Sequence, residues 1–152
     1  MAVPTGPGTE TIQSHMFEEM DSVSGGPQNL INGVQHHTYT VISIVVHCNA
    51  LQATTNKFTC AMIGWEGHGG ASQQEIKIFE QVIPAGETFV WSDRFSFFGH
   101  EPSGAGVFDT DLADQTNLPA QGGTAVQRLY CYTTNAADDY DLVVTYLDQD
   151  WT

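Results

Sequence analysis

A chain of 152 residues, 41% of them hydrophobic, is long enough for one domain whose core needs no metal or disulfide staple. Four cations (Lys57, Lys77, Arg94 and Arg128) face eighteen acidic residues for a net charge of -14, and without a Lys/Arg cluster the balance argues against direct nucleic-acid binding. No apolar run reaches the roughly 18 residues of a membrane-spanning helix, and a charged fraction of only 14% leaves most of the surface to Thr, Ser, Asn, Gln and Gly.

Residues 1–10 read as an extended arm, because Pro4 and Pro7 fix φ while Gly6 and Gly8 loosen the chain. A basic region followed by an apolar one is missing there, so no secretory leader is expected. From Thr11 to Val23 the pattern is ambiguous. Ile12, Met16 and Met20 recur at helical spacing, yet a strand or loop fits equally, and Ser24-Gly25-Gly26-Pro27 stops either. The expected division is an arm and irregular segment over 1–38 and a β-sandwich over 39–152.

From Tyr39 the period is two. In Val41–Cys48 one face collects Ile42, Ile44, Val46 and Cys48, the other Val41, Ser43, Val45 and His47. Asn49 to Asn56 supplies a polar turn, and Lys57–Ile63 alternates again with Phe58, Cys60 and Met62 inward. Glu75–Ile83 follows, then the Pro84-Ala85-Gly86 turn, Glu87–Trp91 and Phe95–Phe98. Glu101–Gly123, punctuated by Gly and Pro, reads as an excursion loop, and Ala125–Tyr132 and Leu142–Leu147 close the series. About seven strands without a helical period predict an all-β, antiparallel β-sandwich of jelly-roll or immunoglobulin-like type.

Few residues suggest chemistry. His36 and His37 are adjacent on an extended backbone and point to opposite faces, so with His47 they make a poor metal set. The cupin pattern of paired histidines is missing. Asp109, Asp111 and Asp114 resemble a calcium loop, but Ala113 and Asp114 break the EF-hand pattern. Asp138, Asp139 and Asp141 read as a solvated turn. Cys48, Cys60 and Cys131, widely spaced, read as buried free thiols. Ser92-Asp93-Arg94 lacks a nucleophile elbow, and Glu66 with Glu75 or Glu80 is no more than chance pairing among many acids. Trp65 and Trp91 are the candidate platforms for a sugar, whereas Phe95, Phe97 and Phe98 read as packing residues. Trp151, near the C-terminal end, calls for a docking partner. No catalytic residue, cofactor or metal is expected, and the chain reads as non-enzymatic.

The strand ending in an Asn turn (Ile42–Asn49), the Ile-Pro-Ala-Gly-Glu-Thr hairpin (Ile83–Thr88) and the acidic turn into Leu-Val-Val-Thr-Tyr-Leu (Leu142–Leu147) carry a resemblance. Over residues 39–148 the chain resembles small β-sandwich virion structural proteins of tailed bacteriophages, of the head decoration or cement type. The resemblance implies a protein assembled in the host cytoplasm into the virion, with the major capsid protein or other virion proteins as partners. It also implies homo-oligomerisation, a trimer being the form many decoration proteins take. The arm, through Val3, Pro4 and Pro7, and the tail, through Trp151, are the expected partner contacts. A neck or tail component, a carbohydrate-binding sandwich for receptor recognition, and a small jelly-roll metalloenzyme are the competing readings.

Overall fold

The structure, a computed structural model, describes residues 9–20, 28–34, 36–65, 73–99 and 126–150. These form nine strands: β1 (Glu10–Met20), β2 (Gln28–Asn32), β3 (His37–Ala50), β4 (Phe58–Trp65), β5 (Gln73–Gln81), β6 (Thr88–Trp91), β7 (Phe95–Phe98), β8 (Arg128–Thr133) and β9 (Asp139–Asp150). All pairings are antiparallel. One sheet runs β1-β9-β3-β6, with β7 also on β3, and the other runs β2-β8-β4-β5.

β6 and β7 pair with successive stretches of β3, Ile44–His47 and Thr38–Val41. Counted as one interrupted edge strand, they make the plan simple. The first strand pairs with the last, the second with the second-last, the third with the third-last, and β4 with β5. That is a long hairpin rolled into two sheets, the jelly roll, and its order differs from the immunoglobulin one. The sandwich therefore begins at Glu10, ahead of the expected start at residue 39. Ile12 and Met16 are four apart, a spacing that satisfies a strand's period of two as well as a helical turn, and pairing with β9 decides for the strand.

The core lies between the sheets. Val41, Ile44, Val46 and Cys48 of β3 and Tyr140, Leu142 and Val144 of β9 meet Phe58, Cys60, Leu129 and Cys131 from the opposite sheet. Phe58 and Tyr140 meet across the gap as a tilted pair at 4.9 Å between centroids, and Phe79 meets Phe89 at 5.1 Å. A register shift between Val41 and Ser43 makes Ile42 the extra residue of a bulge. The bulge reverses the alternation, so Tyr39 and Val41 join the core in place of Ile42. Strict period-two reading cannot anticipate such an insertion.

Two backbone features fix the ends. Gly86, at φ +86°, closes the turn after Pro84, with Glu87 N–H donating to the Pro84 carbonyl at 3.0 Å. At the other end Gly33 and Gly99 lie backbone to backbone, so a Cβ on either would overlap main-chain atoms. Gln127 is bonded to both, which ties segments of the two sheets together.

Candidate functional site

The expected contact residues Val3, Pro4, Pro7 and Trp151 lie outside the described residues, as do the excursion loop with Asp109, Asp111 and Asp114, Glu66, and the side chain of Trp65. The three cysteines are buried and free. Burial pushes the Cys131 thiol up to about 12 and the Cys60 thiol well above its ordinary value, which makes both poor nucleophiles. Trp91 faces inward, 5.4 Å from Phe95 and 6.4 Å from Phe79 between ring centroids, and so presents no open sugar platform. Phe97 is buried, and Phe98 faces outward.

The histidines are dispersed. His47 Nδ1 bonds the Thr88 hydroxyl at 2.8 Å near one end of β3. His37, at the other end, bonds Asp148 at 2.7 Å and lies 3.7 Å from Asp150. From Asp148 a polar chain runs through Gln13 to Tyr146 and His15. Burial pushes the neighbouring Tyr39 hydroxyl up to about 12, with Asp148 adding to the effect. Among the described residues no three His, Cys, Asp or Glu side chains gather around a point that would hold a metal ion.

Asp138 is a residue the sequence did not single out correctly: it is 1% exposed, not solvated. Its carboxylate accepts from Gln52 N–H at 2.8 Å and from Asn56 Nδ2 at 3.1 and 3.0 Å. Lys57 and Thr134 exchange bonds beside it. The cluster ties the β3–β4 connection to the β8–β9 turn, and every partner is on the chain itself. Its role is structural.

A cavity of about 290 Å³ opens between β4–β5 and β7, lined by Met62, Ile76, Ile78, Phe95, Phe97 and the amides of Gln74 and Gln127. Among the described residues, its lining carries no ionisable group.

The outer faces of the two sheets differ more sharply than any pocket. On the β2-β8-β4-β5 sheet, Glu75 accepts bonds from the hydroxyls of Tyr130 and Tyr132. Glu80 accepts from Lys77 at 2.8 Å, Lys57 at 3.3 Å and Thr59 at 3.1 Å. The bond from Lys77, then those from Lys57 and Thr59, holds the Glu80 carboxyl down at about 2. Arg128 adds a third cation to the same face, opposite Ile63. This face is charged, and its Glu75 and Glu80 carboxylates are hydrogen-bonded within the chain.

The other outer face is neutral. Registers place Met16, Val143, Val45 and Val90 in one row across four strands, and Ile12, Leu147, Thr40 and Ser96 in a second. Between the rows lie Ser14, Thr145 and Ser43. Among the described residues, the ionisable side chains of this face lie toward the strand ends, at Glu10, Glu18, Asp139, Asp141 and His47. Ile12 and Met16 are 72% and 71% exposed, Val90 57% and Phe98 51%. In a chain of net charge -14 an uncharged face this wide marks a contact surface better than it marks a solvated wall. The sequence contained the signal in the strands β3 and β9, whose central outward positions are Thr, Ser, Val and Leu instead of Lys and Glu. It became legible once the registers brought β1 and β6 alongside.

No protein-family model and no curated protein matches the chain.

Proposed function

We propose that this protein is a structural component of a bacteriophage particle, a head decoration protein that cements neighbouring capsid subunits. The observation that carries the reading is the asymmetry of the jelly roll: one outer face neutral and partly apolar over its centre, the other charged, with Glu75 and Glu80 bonded within the chain. A cement protein needs rigid walls and a broad contact face, and the neutral face supplies the second without a cleft for substrate. Jelly rolls also serve as lectins and cupins, so fold alone does not choose among these roles. The inward Trp91 and the scattered histidines give those two readings less to stand on. The arm and the tail, with Val3, Pro4, Pro7 and Trp151, supply further contacts to the capsid.

The test is gradient purification of the particles whose genome encodes this chain, followed by mass spectrometry and immunogold imaging. Many copies per particle with label over the head are expected. Label confined to the neck or tail would move the address. A chain found only among soluble proteins of the infected cell would overturn the reading, and specific glycan binding in that soluble form would favour receptor recognition.

A further inference from the structure

The two sheets end in four strand edges, and three of them carry a feature that blocks pairing with another chain. β2 is five residues long and its register shifts within that length. β5 carries Glu75, Lys77 and Glu80. The β6/β7 edge is split into two four-residue strands by Ser92, Asp93 and Arg94. Short, bulged or charged edges are how sheets avoid edge-to-edge association.

β1 has none of these over its central part. It pairs with β9 in unbroken register from Glu10 to Phe17, and from Thr11 to Phe17 it has no Pro, carboxylate, Lys or Arg. No described strand covers its other edge. The direction of its backbone groups is fixed by one bond: the Thr9 carbonyl accepts from Asp150 N–H at 2.9 Å. Backbone groups alternate along an antiparallel strand, so odd-numbered residues face β9. Ile12, Ser14 and Met16 therefore point their N–H and C=O groups away from the sheet.

From this we infer that a second copy of the chain pairs antiparallel along β1, across a two-fold axis at Ser14. The axis sets Ser14 against its own counterpart and Ile12 against Met16 of the second copy. Outward-pointing residues then face outward-pointing residues, which gives about six new backbone hydrogen bonds. Side chains on the outer face stay on one face, so Ile12 and Met16 of both copies form a single apolar cluster. The neutral surface runs unbroken from one copy to the other. The strand is its own complement in hydrogen bonding, face and apolar pattern, which singles out a second copy as occupant.

Charge and area set the strength. Glu10 faces Glu18 of the second copy at each end, so the contact is opposed by like charge and strengthens as salt screens it. A cationic partner strand would behave in the opposite way. The contact is about 24 Å long by about 10 Å high, well short of the roughly 800 Å² per partner of a standard stable interface. Association is therefore weak in dilute solution and matters where copies are crowded on one surface.

Sedimentation velocity of the full chain over about 5–500 μM, at low and high NaCl, tests this. A concentration-dependent dimer is expected, tighter at high salt. Ser14→Pro removes an outward N–H while leaving the bonds to β9, and Met16→Lys places a cation in the apolar cluster. Each is expected to weaken the dimer about tenfold or more, with an unchanged thermal transition as the check on folding. A monomer throughout, a dimer or trimer indifferent to the folded variants, or association that weakens with salt would overturn the inference. No particle enters the experiment, so its failure leaves the capsid assignment untouched.

Discussion

Asp138 and Tyr140 stand two residues apart and are both fully buried, yet they meet opposite fates in polar bookkeeping. The Asp138 carboxylate is held by three bonds from Gln52 and Asn56. Among the described residues, the buried Tyr140 hydroxyl has no hydrogen-bond partner. A buried donor or acceptor costs free energy unless it is paired, so the two should respond to substitution with opposite signs. Asp138→Ala strands Gln52 N–H and Asn56 and is expected to cost about 2–3 kcal/mol. Tyr140→Phe removes only the unpaired group and is expected to be neutral or to stabilise by about 1 kcal/mol. Urea denaturation of both variants checks the contrast, and a destabilised Tyr140→Phe would show that the hydroxyl is satisfied in solution.

Buried acids that stay neutral make a second claim at this scale. Burial raises the Cys131 thiol to about 12 and lifts Cys60 and Cys48 as well. It raises the Tyr39 hydroxyl to about 12, and those of Tyr130 and Tyr140 also rise. In the unfolded chain these thiols ionise near 9.0 and the tyrosines near 10.0. Above those values the unfolded state binds fewer protons than the native one, so stability falls as pH rises. Full stability is present below about pH 9. Above it, each group still protonated in the fold removes up to about 1.4 kcal/mol per pH unit. Denaturation midpoints at pH 7, 9 and 10.5 are expected to fall along that series, and a flat profile would contradict the burial of these groups.

At the scale of the strands, the two outer faces carry separable roles. Val143 sits at the centre of the neutral face, between Met16 and Val45, and its side chain is partly open to solvent. Val143→Lys can lift its ammonium into water, so the isolated protein is expected to lose less than about 1 kcal/mol. A contact face receiving that uncompensated charge should lose at least tenfold in particle incorporation. Tyr132→Phe, on the charged face, removes one bond to Glu75 and should leave incorporation unchanged. Competition between tagged variants and wild type during assembly, read as copies per particle, separates the two. Equal incorporation of both would remove the neutral face from the contact.

The strands that made this face were unequally visible in the sequence. β4, β9 and the part of β3 after Ile42 alternate in the sequence, and their inward residues Ile44, Val46, Phe58, Cys60, Leu142 and Val144 belong to the core. β1 was ambiguous because its outward positions, Ile12 and Met16, are apolar where a solvated edge would be polar. The conflict that hid the strand is the same feature that marks it as a contact. The bulge at Ile42 and the burial of Asp138 depend on partners far along the chain, Tyr146 and Thr145 in one case and Asn56 in the other. Local periodicity carries no information about either.

For the molecule as a whole, the jelly roll joins the beginning of the chain to its end. β1 and β9 pair from Glu10 with Gln149 onward, and the Thr9 carbonyl holds Asp150. Thr9, the first described residue, is thus anchored on Asp150, the last one, so the chain enters and leaves the described fold at one end of one sheet. That placement gives the arm a clean test. Removing residues 2–8 leaves Thr9 and all of β1, hence every described hydrogen bond and the whole core. The truncated protein is expected to keep its denaturation midpoint within about 0.5 kcal/mol of the full chain. Its affinity for particles lacking the protein should nevertheless fall tenfold or more under the proposed role, because a contact made to the particle contributes only in the complex. Unchanged particle affinity would remove the arm from the contact. A large loss of stability would instead make residues 2–8 part of the fold and leave the proposed capsid contact to the neutral face and the tail.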